Sequence, residues 1–185
     1  MKKKRILAMI LAVVSCLSLA VSASAAGTTT RKATDFKDYD RTAWYAEAVS
    51  AAVDNGLLYG KSSTIIDPNG DMTRAEMAAI INRSFGCYKA TDISQYKDVS
   101  KSKWYYKDVA LAVQMGTYNG RSASSMAPDA PISRQEAMTV VARALELDYD
   151  AYAKTDLSKF ADEKNISSWA LPYVRAMVGA DYIHG

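Results

Sequence analysis

Residues 70–80 read GDMTRAEMAAI and residues 130–140 read APISRQEAMTV. In each, a small hydroxyl residue is followed by Arg, one further residue and Glu, and a run rich in apolar positions opens behind them. A hydroxyl there can accept from the third amide of a helix while the Glu carboxylate reaches back to the hydroxyl residue's own amide, which is a capping box. Thr73 with Glu76 and Ser133 with Glu136 are therefore read as helix-capping pairs. Met77, Ile80 and Ile81 follow in the first stretch, and Ala137, Val140, Val141 and Leu145 in the second, at the spacings of one helical face. The first of these helices is expected to end near Gly86. Capping explains the hydroxyl and the acid but not Arg74 or Arg134, because a cation in the first turn opposes the helix dipole.

The interval of sixty residues between the two stretches relates two copies throughout, and a third follows after four to five extra residues. Phe36-Lys37-Asp38 returns as Tyr96-Lys97-Asp98 and as Phe160-Ala161-Asp162, and Trp44 returns as Trp104 and Trp169. Val49 returns as Val109 and Val174, Gly60 as Gly120 and Gly185, Pro68 as Pro128, and Arg83 as Arg143. The copies span 36–88, 96–147 and, in part, 160–185. Each full copy reads helix–loop–helix, so the expected fold is mainly α and built of tandem repeats. Trp44, Ala48, Val49, Ala52 and Val53 form the apolar stripe of a first helix, with Thr42, and likewise Ser102 and Ser167, placed to cap its start. Gly56 and Gly116 stop that helix. The loop LLYGKSSTIIDPNGD is rich in turn formers, with room for a short extended pair at 57–59 and 64–66. The third copy carries no second loop or helix, and a repeat unit buries its apolar face poorly alone. It is expected to leave a groove that a partner, such as a second copy, could fill.

The N-terminus reads as an export leader. Four basic residues precede an apolar run from Ile6 to Ala20, and Ala23-Ser24-Ala25 has the small-x-small pattern of a cleavage site. We expect a leader over 1–26 and a linker over 27–35. Cys16 as a lipidated cysteine is the weaker reading, because Val13-Val14-Ser15 matches the usual flank poorly. No other segment is long and apolar enough to span a bilayer. Loss of the leader takes four of the 23 basic residues and leaves 19 against 20 acidic ones, so charge gives no reason to expect nucleic acid as a partner. Cys87 is then the only cysteine, which rules out an internal disulfide, and His184 is the only histidine. No metal-ligand spacing and no Ser-His-Asp or Cys-His grouping appears, so neither a metal, a cofactor nor catalysis is expected.

The ordered landmarks F-x-D, Trp, Gly, Pro and T-R-x-E, recurring at one spacing, resemble the S-layer homology (SLH) domain family. The resemblance implies a pseudo-threefold, mostly helical spindle, here with its third repeat incomplete. It also implies a secreted module of the cell wall or S-layer that binds secondary cell-wall polysaccharide noncovalently, often polymers bearing pyruvate ketals. The family's ligand-contacting arginine maps onto Arg74 and Arg134. A guanidinium can clamp a carboxylate with two parallel hydrogen bonds, and at a helix start it would share the anion with unsatisfied amides. The bland alternative pairs Arg74 with Asp71 and Arg134 with Asp129 on the surface.

Six further positions and Trp169 carry two readings each. Trp44, Trp104 and Trp169 suit core packing, with an edge left to stack on a sugar. Asp38 and Asp98 suit loop acceptors or ligand contacts, and Gly60 and Gly120 suit special backbone conformations or close approach of a saccharide. The rival functions are a structural protein that oligomerises with another copy or an S-layer protein, and a remnant of a larger anchored enzyme.

Overall fold

The computed structural model describes residues 31–184, so the expected leader and Cys16 lie outside the described residues. Among these residues there are five α-helices, two 3-10 turns and no strand, only one isolated bridge between Thr73 and Pro131. None of the helices is long and apolar enough to cross a membrane. The chain divides into two compact units, with the boundary between Asp71 and Met72.

The first unit holds a 3-10 turn at Ala33–Asp35 and helix α1 at Ala46–Asp54. Phe36, Tyr45, Val49, Val53 and Ile66 are buried together with Ala33, so the F-x-D stretch, the helix and the loop close one small core. Asp38 fastens the loop by accepting the amides of Ile66 at 2.9 Å and Asp67 at 2.7 Å. Burial works against the Asp38 charge, but the amides outweigh it and its pKa lies below the ordinary carboxylate value. The expected extended pair does not form. The loop instead turns on itself, with the Lys61 and Ser62 amides both donating to Ile65 O, while Lys37 N donates to Thr64 O at 2.9 Å.

The second unit contains α2 (Arg74–Phe85), α3 (Tyr106–Gln114), α4 (Arg134–Ala144) and α5 (Leu171–Gly179). Helix α2 packs on α3, α4 packs on α5, and α2 also touches α4. Each tight pair thus joins the second helix of one sequence copy to the first helix of the next. Met77, Ile81, Val109, Ala112, Val141 and Met177 are buried in this unit. Asp98 repeats the role of Asp38, accepting from the Met126 and Ala127 amides at 2.9 and 2.7 Å and from the Ser125 hydroxyl at 2.7 Å. Asp67 and Ala127 hold φ values of 53° and 52°, which side chains resist, and in both cases the carboxylate holds the amide of that residue.

The first helices begin later than the hydroxyl residues suggest. Tyr45, Tyr105 and Ala170 occupy the cap positions, without a side-chain cap bond. Thr42 is engaged by Asp40, Ser102 by Ser100, and Ser167 by the Gln135 amide group. The tryptophans consequently sit in the turns ahead of the helices, at 43%, 59% and 49% exposure for Trp44, Trp104 and Trp169. The inward aromatic position falls to the next residue, and Tyr45 and Tyr105 are buried with the tryptophan rings edge-on at 5.8 and 5.4 Å.

Gly60 has φ +82°, and a Cβ there would lie 2.5 Å from the Phe36 ring and 2.7 Å from Ile65 O. The glycine and the F-x-D aromatic recur together because one rests on the other. Gly60→Ala is expected to cost about 2 kcal/mol, read as a lowered midpoint in denaturant unfolding, since backbone strain and overpacking act together.

Candidate functional site

The two T/S-R-x-E starts meet in the second unit. Thr73 Oγ1 accepts from Glu76 N at 3.2 Å and Thr73 N donates to Glu76 Oε2 at 2.8 Å, while Ser133 and Glu136 make the same pair of bonds at 3.3 and 2.8 Å. Beside the caps, Ile132 N donates to Met72 O, Arg74 N to Ala130 O and Ala75 N to Pro128 O. Two amides that a helix start ordinarily leaves open are therefore taken by carbonyls of the next copy, and the start of α2 is closed.

The Arg74 side chain follows its backbone inward and is 5% exposed. Its Nε donates to Met126 O at 2.9 Å, Nη1 to Glu136 Oε1 at 2.8 Å and Nη2 to Asn119 O at 3.2 Å. The guanidinium lies 5.3 Å from the centroid of the Tyr118 ring, and burial holds that phenol well above its ordinary pKa. Asp98 and Arg74 thus take the N–H and the C=O of the same residue, Met126. The structure brings Arg74, Asp98, Gly120 and Glu136 into one junction between consecutive copies. Asp38, Trp44 and Gly60 belong to the first unit.

Glu136 is the hub. Its Oε1 accepts from Arg74 Nη1 and from Arg121 Nε at 3.0 Å, and its Oε2 accepts from Arg121 Nη2 at 3.1 Å and from Ser133 N. Burial alone would raise its pKa. The Arg121 fork, the Ser133 amide and the Arg74 charge prevail, and the carboxyl ionises below its ordinary value of 4.5.

Arg134 is placed differently. Its side chain is 26% exposed, and Nη1 stands 3.9 Å from Asp162 Oδ2. Asp162 is the third-copy counterpart of Asp38 and Asp98. The surface pairings considered from the sequence give way to others: Arg74 binds Glu136 rather than Asp71, and Asp129 accepts the Tyr105 hydroxyl at 2.8 Å. Gly120 is closely covered, since a Cβ there would meet Ser122 O at 2.4 Å and the Tyr96 ring at 2.5 Å.

Sequence reasoning passed over Arg121. Its signal was present in the repeat: each glycine of the pair is followed by a cation, Gly60-Lys61 and Gly120-Arg121. Among the described residues no group of His, Cys, Asp and Glu is arranged to hold a metal ion.

The family model of the S-layer homology domain matches residues 35–78 and 95–138. These stretches are S-layer homology domains. Both matched stretches end just past the T/S-R-x-E motif, so the latch between Arg74 and Glu136 links one S-layer homology domain to the next. Among curated relatives, the Surface-layer 125 kDa protein of Lysinibacillus sphaericus is 35% identical over 72% of this chain and 12% of its own length. An Endoglucanase of Bacillus sp. (strain KSM-635) is 24% identical over 98% of this chain and 19% of its own length. A Cellulosome-anchoring protein of Acetivibrio thermocellus is 28% identical over 60% of this chain and 26% of its own length. The chain therefore spans about a quarter or less of each of these relatives.

Glu136→Gln leaves the buried Arg74 guanidinium without its countercharge and is expected to cost about 3 kcal/mol near neutral pH. Because the folded-state pKa of Glu136 is depressed, this advantage of the wild type is complete above the unfolded value. It fades as pH falls below about 4.5, which urea unfolding of both proteins across pH 3–7 would show.

Proposed function

We propose that this chain works at the bacterial cell surface as a noncovalent anchor, binding a carboxylate-bearing secondary cell-wall polysaccharide without catalysing a reaction. The observation that carries the reading is the tryptophan left in the open at the same place in every copy, with Trp44, Trp104 and Trp169 between 43% and 59% exposed. An indole ring held in place by packing gives a pyranose a flat apolar face at low entropic cost, and a single core-filling role would have turned it inward. The S-layer homology matches and the names of the relatives, a surface-layer protein and a cellulosome-anchoring protein, point to the same surface.

Of the two helix-start arginines, Arg74 serves the latch, while the side chain of Arg134 is partly exposed, at 26%. We therefore assign the anionic contact at a helix start to Arg134, with pyruvate ketals as the expected source of the carboxylate. Glu76 and Glu136, the acids that recur, are occupied by capping, which argues against their serving as the two carboxylates of glycan hydrolysis. The endoglucanase among the relatives is matched over 19% of its length, which fits an anchoring share of a larger enzyme.

The test is co-sedimentation of the purified chain with wall sacculi. The wild type is expected to pellet with intact sacculi and to stay in solution once the secondary polysaccharide is stripped. Trp104→Ala with Trp169→Ala should weaken binding by about tenfold or more, as loss of aromatic contact of roughly 1.5 kcal/mol implies. Wild-type protein that pellets equally with stripped sacculi would contradict the reading.

A further inference from the structure

We propose that Arg121 is a second ligand-contacting cation, presenting the free edge of its guanidinium to a carboxylate of the bound saccharide. This rests on the polysaccharide reading above and adds a residue that neither the repeat motif nor the helix starts had indicated. The geometry of the guanidinium is the first support. Arg121 Nε and Nη2 are committed to Glu136 at 3.0 and 3.1 Å, and Nη2 also reaches Pro131 O at 3.3 Å. The Nη1 edge makes no hydrogen bond among the described residues, and the side chain is 43% exposed. Five donors in a rigid fork allow one edge to be anchored while another faces outward.

Charge is the second support. Arg74 and Arg121 share the single carboxylate of Glu136, so these three side chains carry one net positive charge among them, and Arg74 is buried while Arg121 is not. The excess is expressed at the exposed member. An arginine held by a carboxylate behind it loses little further side-chain entropy when an anion arrives, which favours binding over a loose surface lysine. The site also adjoins Gly120, whose amide is held by the Tyr96 hydroxyl at 3.3 Å, so Arg121 leaves a fixed loop. Lys61 holds the same place after Gly60 in the first copy.

A role confined to strutting Glu136 would give Arg121 no sensitivity to the ligand's charge, and that is what the experiment reads. Solubilised wall polysaccharide is used untreated or with its carboxylates converted to neutral amides. Its affinity for the full chain is measured by calorimetry for wild type, Arg121→Gln and Arg121→Lys, with thermal midpoints taken alongside. The wild type should lose about a hundredfold in affinity on amidation, as expected when Arg134 and Arg121 each lose one charge-assisted contact of about tenfold. Arg121→Gln should already be weaker by about tenfold on the untreated polymer and lose only about a further tenfold on amidation, the share of Arg134. Arg121→Lys, which keeps the charge and its pairing to Glu136, should keep the fold and part of the selectivity for the untreated polymer.

Equal affinity of wild type and Arg121→Gln for the untreated polymer would overturn the proposal while leaving the anchoring reading intact. So would an equal loss by Arg121→Gln on both polymers. Failure of the wild type to bind either polymer would overturn both.

Discussion

The structure depends on a guanidinium buried where one repeat meets the next. Arg74 donates to Met126 O, Asn119 O and Glu136 and is 5% exposed, so almost all of its hydration has been exchanged for fixed acceptors. Burying an ion pair gains little net stability over a well-packed apolar contact, but it penalises every arrangement that leaves the charge unmatched. That is its use in a repeat protein. Neighbouring copies present similar helices, and apolar burial is non-directional, so it sets register weakly. Only one register aligns Arg74 with the carbonyls of Asn119 and Met126 and with the Glu136 carboxylate, while Arg74 N and Ala75 N meet Ala130 O and Pro128 O.

Around that latch the other recurring residues fall into place. Asp98 grips the amide of Met126 while Arg74 grips its carbonyl, and Asp38 fixes the corresponding Ile66 amide in the first unit. Gly60 and Gly120 let the loop pass against Phe36 and Tyr96. Most of the residues that recur every sixty positions therefore build the loop and the junction. The tryptophans instead stay 43% to 59% exposed, and the proposed saccharide contact rests on that exposure.

Helix entry at Thr73 and Ser133 was legible in the sequence because a capping box is local: four consecutive residues contain both partners. So was the repeat, because a helix face and a turn write themselves at fixed spacings. The direction in which Arg74 points was not legible. Its acceptors lie 45 to 62 residues away, in the following copy, and two of them are backbone carbonyls that leave no trace in residue identity. The tryptophan positions misled for a related reason. Trp44-Tyr45 and Trp104-Tyr105 are adjacent aromatics, and with the helix start three residues later than the hydroxyls suggest it is the tyrosine that is buried. Hydroxyls at Thr42 and Ser102 looked like caps, but Asp40 and Ser100 bind them first.

The proposals divide the labour among three arginines: Arg74 locks the junction, and Arg121 and Arg134 are assigned to the ligand. Arginine Nε–Hε resonances report each guanidinium separately, so NMR titration of the full chain with solubilised wall polysaccharide reads this division directly. The Arg121 and Arg134 signals should shift and saturate together while the Arg74 signal stays in place. Movement of the Arg74 signal with the other two unaffected would contradict it.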